Sequence, residues 1–167
     1  SLAENYYLMY DFMINHISRQ SDYFKDFVMN KDRAEYRDMF ITYRKFWPNG
    51  EPTEEDIDRI YKRKPKAPYV DVTFHDGSKE KVWCTFSDEQ IDLNVHSNIT
   101  REFIKNTVLN FIKHHASIVR LDAFAFAIKK RGTNCFFVEP EIWQLLNDIQ
   151  DIADPNGEGQ HFVLPEI

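Results

Sequence analysis

Ile118-Val119-Arg120-Leu121-Asp122-Ala123-Phe124 is an apolar run that carries one cation and one carboxylate two residues apart. Alternate side chains of a strand share a face, so Arg120 and Asp122 point the same way if the run is extended. A second run, Phe162-Val163-Leu164-Pro165-Glu166, again delivers a carboxylate where an apolar stretch stops. Between the two runs, Pro140 suits the first position of a helix. Ile142, Leu145, Leu146, Ile149 and Ile152 then follow on one side of it until Asp154-Pro155-Asn156-Gly157 ends the pattern. Upstream, Thr100 suits an N-cap, and Phe103, Ile104, Val108, Phe111 and Ile112 form a second helical stripe. Farther upstream, Tyr6 to Ile14 is a nearly continuous apolar run broken by Asp11, the pattern of a parallel strand buried on both faces. Strands separated by helices in this order call for a parallel sheet with crossover connections.

From about Ile17 to Leu93 the composition changes to aromatic and charged residues punctuated by Pro48-Asn49-Gly50, Pro52, Pro65 and Pro68, which predicts irregular structure with short helices. One hairpin stands out there. Tyr69 to Phe74 alternates apolar and polar residues, His75-Asp76-Gly77-Ser78 supplies turn chemistry, and Lys79 to Phe86 alternates again. The whole chain has 167 residues, 43% hydrophobic and 15% aromatic, enough for a substantial core and too apolar for global disorder. A formal charge of −6 without any basic stripe argues against a nucleic-acid partner. No charged-then-apolar leader follows Ser1, and no apolar run approaches the ~18 residues of a membrane span, so a soluble protein without membrane partners is expected. Cys84 and Cys135 each sit among aromatic residues; buried free thiols, as in a reducing cytoplasm, are the first reading and a disulfide the second. The two cysteines have no additional ligands nearby to complete a metal site.

Asp122 and Glu166 are the first candidates for chemistry. On neighbouring parallel strands their backbone positions would lie about 5 Å apart, or twice that with one strand between, and at about 5–5.5 Å two carboxyl groups suit cleavage of a glycosidic bond with retention. Arg120 would hold Asp122 ionised and oriented, or the two would form an ordinary ion pair at a strand end. Asp11, Met13 and Asn15 would share one face of the first strand. His16, at its end, would then donate a hydrogen bond into a pocket or serve as a structural hydrogen-bonder. Tyr61-Lys62-Arg63-Lys64-Pro65-Lys66 is either a solvated face or a site for inorganic phosphate or a phosphorylated sugar. Trp47, Tyr69, Trp83 and Phe86 either fill the inserted segment's own core or stack on a sugar.

Asp11-Phe12-Met13-Ile14-Asn15-His16 resembles the first signature of the α-amylase superfamily, and Gln90-Ile91-Asp92-Leu93-Asn94 the signature that closes its inserted domain. Arg120-Leu121-Asp122 is similar to the nucleophile signature and Leu164-Pro165-Glu166 to the general-acid strand. The flanking Phe46-Trp47-Pro48-Asn49-Gly50, Ile60-Tyr61-Lys62-Arg63-Lys64 and Phe136-Phe137-Val138-Glu139-Pro140-Glu141-Ile142-Trp143 resemble the sucrose phosphorylase subgroup.

The resemblance implies an α/β chain that is a segment of a (β/α)8 TIM barrel, from its third to its fifth strand, with an inserted small domain B. Residues 1–16 would hold the third strand and 17–94 domain B. Residues 95–167 would hold the third helix, fourth strand, fourth helix and fifth strand. It also implies roles. Asp122 would be the nucleophile that forms a glucosyl-enzyme and Glu166 the general acid and base. Arg120 and His16 would hold the nucleophile and the bound glucose, Phe86 would wall that glucose, Gln90 would line the acceptor side, and Lys64 would lie near the acceptor loop. Phe126 departs from the pattern, standing where many relatives carry a tyrosine.

The implied activity is reversible, retaining transfer of glucose from sucrose to inorganic phosphate, giving α-glucose 1-phosphate and fructose without metal or organic cofactor, in a cytoplasmic protein for which a homodimer is one expected state. Sucrose 6′-phosphate, glucosylglycerol and glucosylglycerate are the alternative substrates of the subgroup. A catalytically silent, amylase-like binding subunit is the alternative of another class. The superfamily's third carboxylate has no counterpart in the chain, so the 167 residues are expected to be a truncated piece, inactive in isolation.

Overall fold

The computed structural model describes residues 6–167; Ser1 and the rest of residues 1–5, which open the expected 1–16 segment, lie outside the described residues. In chain order the strands are β1 (Leu8–Met13), β2 (His16–Ser18), β3 (Tyr69–Thr73), β4 (Lys79–Trp83), β5 (Gln90–Asp92), β6 (Ala116–Asp122) and β7 (Phe162–Pro165). The helices are α1 (Asp22–Asn30), α2 (Tyr43–Phe46), α3 (Glu54–Arg59), α4 (Asn98–Lys113) and α5 (Glu141–Ala153).

β1, β6 and β7 form one parallel sheet with β6 in the middle. Its register sets Asp11 beside Arg120, Met13 beside Asp122, and Leu121 beside Pro165, so the three strands end together. One face packs on the two long helices. Phe12, Val119 and Leu121 from the strands meet Ile104 and Val108 of α4 and Ile142, Leu145 and Ile149 of α5. Burial of each such side chain stabilises the fold by about 1.5–3 kcal/mol. The other face is open: Met9 is 55% and Met13 50% exposed. The expectation that β1 is buried on both faces is therefore corrected, because among the described residues nothing covers the side shared by Met9, Asp11 and Met13.

Two boundaries also differ from the sequence reading. α4 starts a turn earlier than Thr100 suggested. Ser97 is the N-cap, its Oγ accepting the Thr100 N–H at 3.3 Å, while Thr100 is buried inside the first turn. β6 stops at Asp122 although the apolar run continues, because Ala123 turns into the left-handed region at φ 55° and Phe124–Phe126 coil into a short 3₁₀ turn. Pro140 sits at the N-cap of α5, one position before the first helical residue.

The stretch between β1 and α4 leaves the sheet and returns to the same place, since β2 pairs antiparallel with β5 and Leu93 N–H donates to Asn15 O at 2.8 Å. It carries its own core, where Phe24, Phe27, Phe40 and Phe74 pack against Val70 and Val82 of the predicted β3–β4 hairpin. Trp47 and Trp83 are buried in a third cluster beside Tyr43, with Tyr69 against it, so three of the four aromatics in question pack in or against this cluster and only Phe86 remains for a pocket. Both cysteines are buried and free.

Candidate active site

The strand ends open into a cleft of about 550 Å³. Asp122 and Glu166 both line it, on adjacent strands of one edge, and the Glu166 N–H donates to Leu121 O at 3.0 Å, which fixes the glutamate beside the end of β6. Arg120 binds both carboxylates. Its Nη2 lies 2.7 Å from Glu166 Oε1, its Nη1 2.9 Å from Asp122 Oδ1, and the same Nη1 donates to Asp11 Oδ1 at 3.3 Å. One guanidinium thus serves three carboxylates. Asp122 Oδ1 lies off the line of any N–H and is buried without a hydrogen bond among the described residues.

That division bears on the protonation of Asp122. Burial raises the Asp122 carboxyl above its ordinary range, the adjacent Glu166 carboxyl raises it further, Arg120 opposes the rise, and the charges of Glu166 and Asp11 add to it. Arg120 acts in the direction expected of it, favouring the ionised form of Asp122, against burial and the like charges of Glu166 and Asp11. Arg120 itself is held more firmly protonated, first by its hydrogen bond to Asp11. The Asp122 carboxyl therefore holds its proton to a higher pH than a lone aspartate does.

His16, Phe86 and Gln90 line the cleft from the other side. The His16 ring meets the Phe86 ring edge-on at 5.4 Å, and its Nε2 lies 3.3 Å from Gln90 Nε2. Burial lowers the His16 pKa, with Asp92 opposing and Lys129 reinforcing that shift. Asn15 does not share the open face of Asp11 and Met13. It follows a kink in which Ile14 N–H donates to Phe12 O at 3.0 Å, and it is fully buried behind His16.

Lys64 is not at the cleft wall; its Nζ donates to Tyr69 O and Cys84 Sγ, both at 3.3 Å, and pairs with Asp88 at 3.7 Å. Its neighbour Arg63 does line the cleft, with its guanidinium 6.0 Å from the Phe86 ring. Sequence reasoning placed Arg63 only within a basic run, and the run's irregular backbone gave no parity by which to choose between them. Phe126 completes an aromatic wall with Tyr61 and Phe136, its ring 5.0 Å from Phe136 and 5.2 Å from Phe86. Among the described residues no three His, Cys, Asp or Glu side chains converge as a metal ion would require, and no helix is long and apolar enough to cross a membrane.

Comparison with known proteins bears on this geometry. Residues 3–155 match the family described as alpha amylase, catalytic domain. The chain belongs to that family. Within the α-amylase family, it is 52% identical over 166 residues to a sucrose phosphorylase of Streptococcus mutans, covering 99% of this chain and 34% of that protein. It is 39% identical to a glucosylglycerol phosphorylase of Marinobacter adhaerens, covering all of this chain and 34% of the relative. The solved structure of a sucrose 6F-phosphate phosphorylase from Thermoanaerobacter thermosaccharolyticum superposes with a TM-score of 0.92 at 42% identity, covering 99% of this chain and 34% of that one. The fold is accordingly a partial (β/α)8 barrel. The chain spans about a third of the length of the relatives it matches.

Proposed function

We propose that the complete protein carrying this chain is a glycoside phosphorylase that transfers glucose from sucrose to inorganic phosphate with retention, releasing fructose and α-glucose 1-phosphate. The observation that carries the reading is the pair of adjacent strand-end carboxyl groups, Asp122 and Glu166, bound to one arginine and facing one cleft. A retaining mechanism needs two carboxyl groups about 5–5.5 Å apart with one proton between them. In this reading Asp122 attacks the anomeric carbon while Glu166 protonates the departing fructose oxygen; Glu166 then takes the proton of the attacking phosphate as the glucosyl-enzyme is released. Arg120 orients both groups, His16 and Phe86 receive the glucose, and Gln90 reaches toward the acceptor. Residues 17–94 act as the inserted domain that roofs the cleft. The two buried free thiols suit a cytoplasmic enzyme.

Arg63 gives specific support to a second reading, because a guanidinium at the cleft wall binds a phosphate oxygen pair well, whether on free phosphate or on sucrose 6′-phosphate. Lys64, tied to Tyr69, Cys84 and Asp88, acts through the position of that loop.

The roles are tested in the complete protein. Glu166→Gln should slow transfer from sucrose yet spare a glucosyl donor whose leaving group needs no proton, while Asp122→Asn should lose both by a factor on the order of 10⁴ or more. Equal losses on the activated donor would overturn the assignment. Competition between sucrose and sucrose 6′-phosphate decides between the two readings.

A further inference from the structure

Behind His16 lies a buried charge pair. Lys129 and Asp92 are 4% and 0% exposed, with Lys129 Nζ 2.7 Å from Asp92 Oδ2. Asn15 is placed between these charges and the histidine. Its Oδ1 accepts from Lys129 Nζ at 2.6 Å, and its Nδ2 donates to Asp92 Oδ2 at 3.1 Å. A cation on the amide oxygen and an anion on the amide nitrogen leave only one orientation for that side chain. The second Nδ2 hydrogen then faces His16 Nδ1 at 3.4 Å. On the other side of the ring, Gln90 is held the same way, because its Oε1 accepts from Ser87 N at 3.3 Å and Ser87 Oγ at 3.1 Å, which turns Gln90 Nε2 toward His16 Nε2.

Both imidazole nitrogens therefore face amide N–H groups. An imidazolium would set donor against donor on both sides, so the ring is neutral. The donor on the buried side is backed by a full charge pair, so Nδ1 is the acceptor and Nε2 carries the proton. The Nε2–H of His16 and an N–H of Gln90 then stand 3.3 Å apart at the cleft wall, unable to bond each other and able to converge on one ligand oxygen.

We propose that Lys129, acting through Asn15, is a positioning residue that fixes His16 as the neutral Nε2–H tautomer, so that the cleft presents a converging pair of N–H donors to a hydroxyl oxygen of the glycoside. The charged groups facing His16 are Asp92 from β5 and Lys129 from the segment after β6; Arg63, Asp122 and Glu166 share the cleft with it. The lowered His16 pKa agrees with a ring that stays neutral below the ordinary histidine range. Only the kinetic part of the test rests on the proposed phosphorylase activity.

The test uses the complete protein labelled with ¹⁵N-histidine. In the wild type, the two His16 nitrogens should be inequivalent, with the proton on Nε2, and should remain so on acidification past the ordinary histidine midpoint. Lys129→Met removes the cation from the Asn15 amide oxygen, one of the two charges that orient it, so the tautomers should begin to mix, the titration midpoint should rise, and KM for sucrose should increase about tenfold, the worth of one such contact at ~1.4 kcal/mol, with a smaller change in kcat. Because that variant strands Asp92 in the interior, Lys129→Met with Asp92→Asn is the companion that removes both charges orienting the amide, and it should show the tautomers mixed as well. A wild-type His16 that is protonated on Nδ1 or cationic at neutral pH overturns the proposal. So does a variant spectrum identical to wild type, even if KM rises, because Lys129 would then be structural only. Absence of any turnover of sucrose would count against the proposed activity and leave the nitrogen spectra to decide this inference.

Discussion

Two cation–carboxylate groups lie close together in this molecule and are built in opposite ways. At the strand ends one guanidinium is divided among Asp11, Asp122 and Glu166, with Arg120 30% and Glu166 48% exposed. Behind His16, one ammonium meets one carboxylate, both almost fully buried, and Thr85 N–H donates to the second oxygen of that carboxylate at 2.8 Å. The buried group is balanced and every partner is satisfied, which suits a fixed support. The open group is short of positive charge and leaves Asp122 Oδ1 without a hydrogen bond, which suits a place where a proton must move. Imbalance at a strand end is a mark of chemistry, and balance in the interior is a mark of positioning.

The largest effect that sharpens this contrast is on stability. Asp92→Leu strands Lys129 in the interior and should lower unfolding free energy in a urea titration by about 3–5 kcal/mol. Asp122→Asn should cost none, because the folded state already disfavours the charged form. The pH dependence carries the same sign. Asp122 binds its proton more tightly folded than unfolded, so its contribution is present below its ordinary value of 3.8 and is lost as pH rises through the raised folded value. A urea series that shows Asp122→Asn as destabilised as Asp92→Leu would erase the distinction.

A smaller effect is kinetic. Asp11→Asn removes a like charge beside Asp122 and releases Arg120 Nη1, so the Asp122 pKa should fall. The proposed nucleophile works ionised, so the acid limb of the pH profile of kcat/KM in the complete protein should move to lower pH, with a few-fold gain on that side. An unmoved limb would mean that Asp11 is not part of the group. The smallest effect belongs to an ion pair of neither kind. Arg59 and Glu55 meet at 3.1 Å on the surface of α3, and Arg59→Ala should change stability by no more than ~0.5 kcal/mol in the same urea assay.

Much of this was legible in the sequence. Apolar runs placed β1, β6 and β7, and helical period with punctuation placed α4 and α5, because each of those helices buries one side against the core and so carries the repeat of its geometry. Strand parity put Arg120 beside Asp122, and a parallel sheet with the two strands as neighbours brought Glu166 to them. The turn at Ala123 was not legible, since Ala123 and Phe124 prolong an apolar run and hydropathy is blind to a change of backbone hand. Lys129 was missed for a related reason. Beside it stands Lys130, identical in type, yet the Lys129 side chain is 2% exposed and that of Lys130 54%. The sequence offers no mark of which lysine is buried, because the difference is made by Asp92 and Asn15, far away along the chain.

The left-handed backbone at Ala123 bears on how this chain can change over generations. A residue with a β-carbon costs about 1–2 kcal/mol in that conformation, and Ala123 also lines the cleft. Ala123 already bears the cost of the backbone's hand, and a larger side chain would add to it the loss of volume reserved for the ligand. The position next to the proposed nucleophile is thereby closed to most of the amino-acid alphabet, and drift there is confined to residues as small as the one present.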